Sequence, residues 1–170
     1  MQIACKKNKS TMAAIIGIGV NKIEEICKKE AGIVVIANYN SPNQIVISGE
    51  FDSVQKTCKL LTSEGAKKAL ILPVGGAFHS PLMQSAKKSL EIAMIETEFS
   101  KPVCPIYQNV HAKPETDCKI IKQNLIQQLV KPVKWFQTIQ NMIEDGAKEF
   151  LEVGPRNVLI GLNRRIDRNV

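Results

Sequence analysis

Along the first half of the chain, short apolar runs of strand length take turns with stretches whose apolar positions recur every three or four residues. Ala13-Ala14-Ile15-Ile16-Gly17-Ile18 is suited to a buried strand. Asn21-Lys22-Ile23-Glu24 reads as a helix start, a capping side chain followed by a glutamate three places on. Ile23, Ile26 and Cys27 give that helix one apolar stripe, and Ala31-Gly32 ends it. Ile33–Ala37 and Gln44–Ser48 are β-branched runs, and Asn38-Tyr39-Asn40-Ser41-Pro42-Asn43 between them is dense in turn formers and reads as a loop. Asp52 caps a second helix with Val54, Cys58 and Leu61 on its buried face, Gly65 closes it, and Lys68–Val74 is a further strand. The predicted order over residues 10–74, β-α-β-β-α-β, specifies a ferredoxin-like sandwich of two helices on a four-stranded antiparallel sheet.

The second half changes rhythm. A helix is predicted from Ser80 to about Glu98, with Pro81 in its first turn, where the missing N–H costs nothing. Val103–Val110 reads as a strand; Asp117 caps a helix with Ile121, Leu125 and Leu129 on its apolar face, ending at Lys131-Pro132. Trp135, Ile139, Met142 and Ile143 mark another helix, closed by Gly146; Glu149–Val153 reads as a strand and Asn157–Ile166 as the last helix. Strands joined by long helical crossovers belong to a parallel sheet covered on both faces. Two strands do not make such a sheet, so residues 75–170, with 1–9, are expected to be the C-terminal part of a larger α/β core.

Composition narrows the function classes. With 44% hydrophobic and 23% charged residues the chain is an ordinary globular one with a real core. No run approaches the roughly 18 apolar residues of a transmembrane helix, and Met1–Lys9 lacks the apolar region of a secretory signal. A cytoplasmic location is the expectation. Five widely spaced cysteines without a C-x-x-C pair read as reduced structural thiols, against a zinc site or a disulfide framework. The formal charge of +7 is spread over lysine pairs and a terminal group, Arg164, Arg165 and Arg168. Such a surface attracts polyanions, or is simply a solvated face. RNA readers of ferredoxin-like form stack bases on strand aromatics; here the strands carry Ile, Val, Ala and Leu, which argues against nucleic acid.

The chemistry concentrates at Leu72-Pro73-Val74-Gly75-Gly76-Ala77-Phe78-His79-Ser80, where a strand ends, two glycines turn the chain and a histidine precedes a helix. An imidazole at a strand-to-helix junction sits at the rim of a sheet, placed to meet a substrate or to cap and pack. The other histidine, His111, lies far along the chain with no ligand spacing around either, so no metal site is read here.

Gly76-Ala77-Phe78-His79-Ser80-Pro81-Leu82-Met83, Asn38-Tyr39-Asn40-Ser41-Pro42-Asn43-Gln44-Ile45-Val46-Ile47-Ser48-Gly49 and Glu152-Val153-Gly154-Pro155 resemble the malonyl-CoA:acyl-carrier-protein transacylase family. Met12–Gly17 and Gln128–Trp135 agree with it, and the resemblance runs over essentially the whole chain. It implies an α/β-hydrolase-like core carrying an inserted ferredoxin-like subdomain, of which this chain is similar to the C-terminal part. It implies malonyl transfer from malonyl-CoA to the phosphopantetheine thiol of acyl carrier protein, in fatty acid biosynthesis, with no cofactor beyond these substrates. By the resemblance His79 is the base that activates a serine nucleophile, and Gln128 supplies a backbone carbonyl that orients it. Asn40 lines the substrate pocket, and Phe78 fills the space an α-methyl group would take, favouring a malonyl unit. No serine in these residues has glycines two places before and after it. The family's nucleophile, its carboxylate-binding arginine and its oxyanion-hole glutamine are therefore expected on sequence preceding Met1, and the chain alone is expected to be inactive. The partners implied are malonyl-CoA, acyl carrier protein and that N-terminal part, with neither nucleic acid nor membrane. The alternative is a non-catalytic module that docks the acidic carrier protein through its basic surface.

Overall fold

The computed structural model describes residues 1–170. It opens with α1 (Gln2–Lys7), β1 (Ser10–Ile16), α2 (Val20–Lys29), β2 (Val34–Ser41), β3 (Gln44–Glu50), α3 (Phe51–Ser63) and β4 (Lys68–Ile71). The strands form one sheet in the order β2-β3-β1-β4, every neighbouring pair antiparallel. The strands read as continuous apolar runs because both faces of the sheet are covered, successive strand residues facing opposite sides. Ala13, Ile15, Val34, Ile36, Ile45 and Ile47 face α2 and α3, which bury Ile23, Ile26, Cys27, Val54, Cys58 and Leu61 against them. Met12, Ala37 and Val46 face the other way, and Leu72, Val74 and Phe78 pack on that second face. The sheet therefore carries the folding core on one side and the histidine-bearing loop on the other.

Several local expectations are corrected. Asn38–Ser41 is not loop but the end of β2, so that only Pro42 and Asn43 turn the chain into β3. The turn-forming residues are accommodated because the β2–β3 register slips between Ile36 and Asn38 and again between Tyr39 and Ser41, as a bulged strand does. Helix α2 starts beyond Gly19 and α3 beyond Glu50, neither with a side-chain cap, so Asn21 and Asp52 lie inside helices rather than at their caps. Strand β4 stops at Ile71, short of Val74. Gly65 takes φ +102°, the left-handed conformation that closes α3 as expected.

Beyond β4, a short 3-10 turn (Pro81–Met83) leads into α4 (Gln84–Ile95), which ends before the predicted Glu98. Val103–Val110 contains only a two-residue strand, β5 (Ile106–Tyr107), paired with β6 (Pro114–Glu115). Helices α5 (Cys118–Gln127), α6 (Trp135–Glu144) and α7 (Val158–Ile166) follow. Glu149–Val153 is not a strand, and Leu151 and Val153 are 87% and 90% exposed. A strand requires a neighbour for its ladder, and no strand or bridge pairs with this segment. The connection from α5 to α6 is stitched to the sheet instead: Tyr39 N donates to Val133 O and Val133 N to Ala37 O, each at 2.8 Å, making a parallel bridge at Asn38. No helix is long and apolar enough to cross a membrane.

Candidate active site

After β4 the backbone makes one more sheet bond, Leu72 N to Met12 O at 2.9 Å, and then leaves the sheet. Gly76 passes so close to α1 that a Cβ built on it would stand 2.2 Å from Cys5 Sγ, so a larger residue there would require this contact to shift. Ala77 and Ser80 are fully buried, while Phe78 and His79 between them are half-exposed. Phe78 rests on the sheet face formed by Met12, Ala37 and Val46. His79 has φ +57°, a left-handed conformation that costs a residue with a side chain on the order of 1–3 kcal/mol and persists only where the surroundings enforce it.

That conformation aims the imidazole at α5. His79 Nδ1 lies 2.7 Å from the backbone oxygen of Gln128. A carbonyl only accepts, so Nδ1 carries the proton and, in the neutral ring, Nε2 keeps a lone pair. Gln128 follows the last residue of α5, where helix carbonyls have no N–H ahead of them and carry the negative end of the helix dipole. The imidazole satisfies one of these carbonyls.

The helix end is itself tied down. Asn109 Nδ2 donates to Gln128 Oε1 at 2.9 Å, and Lys134 N donates to Asn109 O at 2.9 Å. One turn earlier Asn124, 4% exposed, donates to Gln108 Oε1 at 3.0 Å, and Gln108 Nε2 donates to Ile121 O at 3.0 Å. Asp117 Oδ1 caps the other end of α5, accepting from Lys119 N at 2.7 Å and Ile120 N at 3.3 Å. Gln108, Asn109 and Asn124 were not anticipated from the sequence. A signal existed: Asn124 stands three residues after Ile121, a polar residue on the stripe that the helix buries.

The structure brings His79, Gln128 and Phe78 to one place. Asn40 is not tied to them by any side-chain hydrogen bond: it stands at the second register slip of β2, half-exposed. Its neighbours Tyr39 and Ser41 instead line a cavity of about 400 Å³ beside α2 and the start of α6, which His79 does not line. Tyr39 Oη donates to Glu24 at 3.1 Å; burial, with Glu24 beside it, raises the phenol to about 12. No three His, Cys, Asp or Glu side chains come together to hold a metal ion. All five cysteines are free, and burial pushes the thiols of Cys27 and Cys58 up to about 12 and about 11.

Comparison with known proteins places this loop in context. The acyl transferase domain family matches residues 3–166. The chain belongs to that family. It is 37% identical over 163 residues to the malonyl CoA-acyl carrier protein transacylase of Staphylococcus aureus, an alignment covering 94% of this chain and 53% of that protein. The solved structure of the Coxiella burnetii malonyl CoA-acyl carrier protein transacylase superposes with a TM-score of 0.93 at 38% identity, over 98% of this chain and 54% of that one. A malonyl-transacylase solved in complex with its type II PKS acyl-carrier protein also gives 0.93, at 35% identity, over 98% of this chain and 56% of that one. The chain thus spans about half the length of the curated relatives it matches. These acyltransferases share its mixed arrangement of sheet and helices.

Proposed function

We propose that the chain is the base-bearing part of a malonyl-CoA:acyl-carrier-protein transacylase, with residues 10–74 as a ferredoxin-like subdomain and the remainder as part of an α/β-hydrolase-like core. The observation that carries this reading is the 2.7 Å contact from His79 Nδ1 to Gln128 O, on a loop whose sequence resembles the family's base. With Nδ1 occupied, Nε2 is free to take the proton of a serine hydroxyl as its oxygen attacks the thioester carbonyl of malonyl-CoA. The carbon–sulfur bond breaks, the coenzyme A thiol leaves with that proton, and malonyl is held as a serine ester. The phosphopantetheine thiol of acyl carrier protein attacks this ester, His79 again taking a proton and returning it to the serine oxygen. The reaction exchanges one thioester for another and needs no resident cofactor. Phe78 beside the base favours a malonyl unit over an α-branched one, Asn40 lines the acyl pocket, and the reaction belongs to cytoplasmic fatty acid biosynthesis.

In this reading the nucleophile lies outside these residues, and Ser80, adjacent to the base, does not serve, being fully buried with its hydroxyl donated to Ala77 O. Mixed with malonyl-CoA and holo acyl carrier protein, the chain alone is expected to transfer nothing. Co-expressed with the N-terminal half of the Staphylococcus aureus relative, where this reading expects the serine, it is expected to transfer labelled malonyl, and His79→Ala in the same pair to lose at least 100-fold, the usual contribution of a positioned base being about 10²–10⁴. Transfer undiminished by His79→Ala refutes the reading. Arg164, Arg165 and Arg168 are all exposed, which keeps a carrier-docking role open to the same chain. Binding of the acidic carrier that weakens with salt would support docking, and no binding at low salt would remove it.

A further inference from the structure

Ser80 is a buried hydroxyl that the proposed chemistry does not use, and its contacts close the turn that carries the residue before it. Its Oγ donates to Ala77 O at 2.6 Å, closing the four-residue turn Ala77-Phe78-His79-Ser80 in place of a backbone N–H. The same oxygen accepts from Leu82 N at 3.3 Å, so it also caps the Pro81–Met83 turn. At the other end of the turn, Ala77 N donates to Ser10 Oγ at 3.1 Å, which ties the turn to the first residue of β1. The two anchors, Ala77 and Ser80, are each 0% exposed, whereas the two residues they bracket are half-exposed. One of these, His79, holds the left-handed φ of +57°.

A non-glycine residue in that region relaxes toward negative φ unless something prevents it. Relaxation at His79 would rotate the Cα–Cβ bond and swing the ring away from Gln128 O. The backbone of the turn offers no hydrogen bond across His79 itself, so the Ser80 hydroxyl is the group that closes it. We infer that Ser80, assisted by Ser10, is a positioning residue: its hydroxyl holds His79 in the left-handed conformation and thereby fixes which ring nitrogen is protonated. The inference rests on His79 being the base, but the quantity it concerns, the tautomer, exists in this chain whether or not malonyl is transferred. Ser80 does not touch substrate in this role, and it is not a second nucleophile, because its proton is committed to Ala77 O.

The test is nitrogen-15 NMR of the imidazoles in the full 170-residue chain, with His111→Gln as background so that only His79 is read. The parent is expected to show the Nδ1–H tautomer as the dominant neutral form, with Nε2 unprotonated. Ser80→Ala is expected to lose that dominance and shift toward the Nε2–H form favoured by free imidazole, while the amide spectrum of the sheet stays in place. Ser80→Thr keeps the hydroxyl and is expected to restore the parent pattern. Should Ser80→Ala fail to fold, Ser10→Ala gives the deciding spectrum, with a partial shift expected in the same direction. Dominant Nδ1–H in folded Ser80→Ala, or in Ser10→Ala where that variant decides, overturns the inference. So does a folded Ser80→Thr that lacks it. Failure of malonyl transfer in the co-expressed pair, with the tautomer behaviour as described, would refute the transferase reading and leave the positioning role standing.

Discussion

Gly76 gives the sharpest test of how the histidine loop is seated. A Cβ at this position would meet Cys5 Sγ at 2.2 Å and Cys5 Cβ at 2.9 Å, where real Cβ atoms essentially never come closer than 3.0 Å. The main obstruction is therefore a single sulfur. Gly76→Ala must turn the Cys5 sulfur out of its present position or displace α1 or the loop, and α1, which packs on the Pro81–Met83 turn and α4, does not move freely. Overpacking of this kind costs about 1–3 kcal/mol. With an m value of about 2 kcal/mol/M, the urea midpoint should fall by roughly 0.5–1.5 M. Removing the sulfur leaves only the 2.9 Å contact, just inside the limit. Cys5→Ala on its own should cost well under the Gly76→Ala change, because Cys5 is only half-buried, and Gly76→Ala with Cys5→Ala should recover most of the loss. Urea unfolding of the four proteins, followed by circular dichroism, gives the coupling directly. A double variant no more stable than Gly76→Ala would refute the account, as would a Gly76→Ala protein with an unchanged midpoint.

Further predictions follow from the core, the cap and the thiols. Ile47 is 0% exposed at the centre of the helix-covered face, and Ile47→Ala should cost about 2–5 kcal/mol in urea unfolding. Asp117→Ala removes the acceptor for two N–H groups at the start of α5. It should cost roughly 0.5–2 kcal/mol and speed hydrogen exchange at Lys119 and Ile120. Native protein should react with a thiol reagent first at the exposed Cys104, and at Cys27 and Cys58 only on unfolding. Burial raises these two thiols from 9.0 to about 12 and about 11, so above pH 9 the unfolded chain gives up protons that the folded one keeps. Their contribution is thus complete below pH 9 and is lost as pH climbs toward 11 and 12. Replacing both by Ala should flatten that alkaline decline, which stability measured from pH 8 to 11 will show.

The sequence exposed the parts of this molecule that are fixed by local periodicity. Strands β1 to β3 and helices α2 and α3 were legible because each carries a run or stripe of apolar residues that the fold buries, Ile15 and Ile47 in the strands and Ile23 and Leu61 in the helices. What escaped was set by neighbours. The end of β2 reads as loop because Asn, Ser and Pro favour turns, and it is held in the sheet by β3 and by the backbone of Val133. Glu149–Val153 is apolar enough for a strand, yet strand formation needs a ladder that composition does not encode. At the site, His79 could be singled out from the residues around it, and Phe78 and Gln128 through the family resemblance. The left-handed backbone of His79 was not visible, since histidine carries no marker for positive φ as glycine does. Nor was the Gln108–Asn124 and Asn109–Gln128 pairing, which joins residues 16 and 19 positions apart.

The bridge at Val133 also bears on self-association. A sheet has two outer edges, and an unpaired edge is a template on which another chain can add a strand. On the β2 side, Val133 occupies the backbone groups of Ala37 and Tyr39, so an incoming strand finds that stretch already taken. The opposite edge is β4, only four residues long, where Leu70 and Ile71 are 53% and 42% exposed. Lys67 and Lys68 precede them, and stacking like copies there would bring lysines against lysines. Resistance to edge-to-edge growth therefore rests on the main chain of one residue and the charges of a pair of lysines, and neutralising those lysines would be felt as aggregation before it was felt as unfolding.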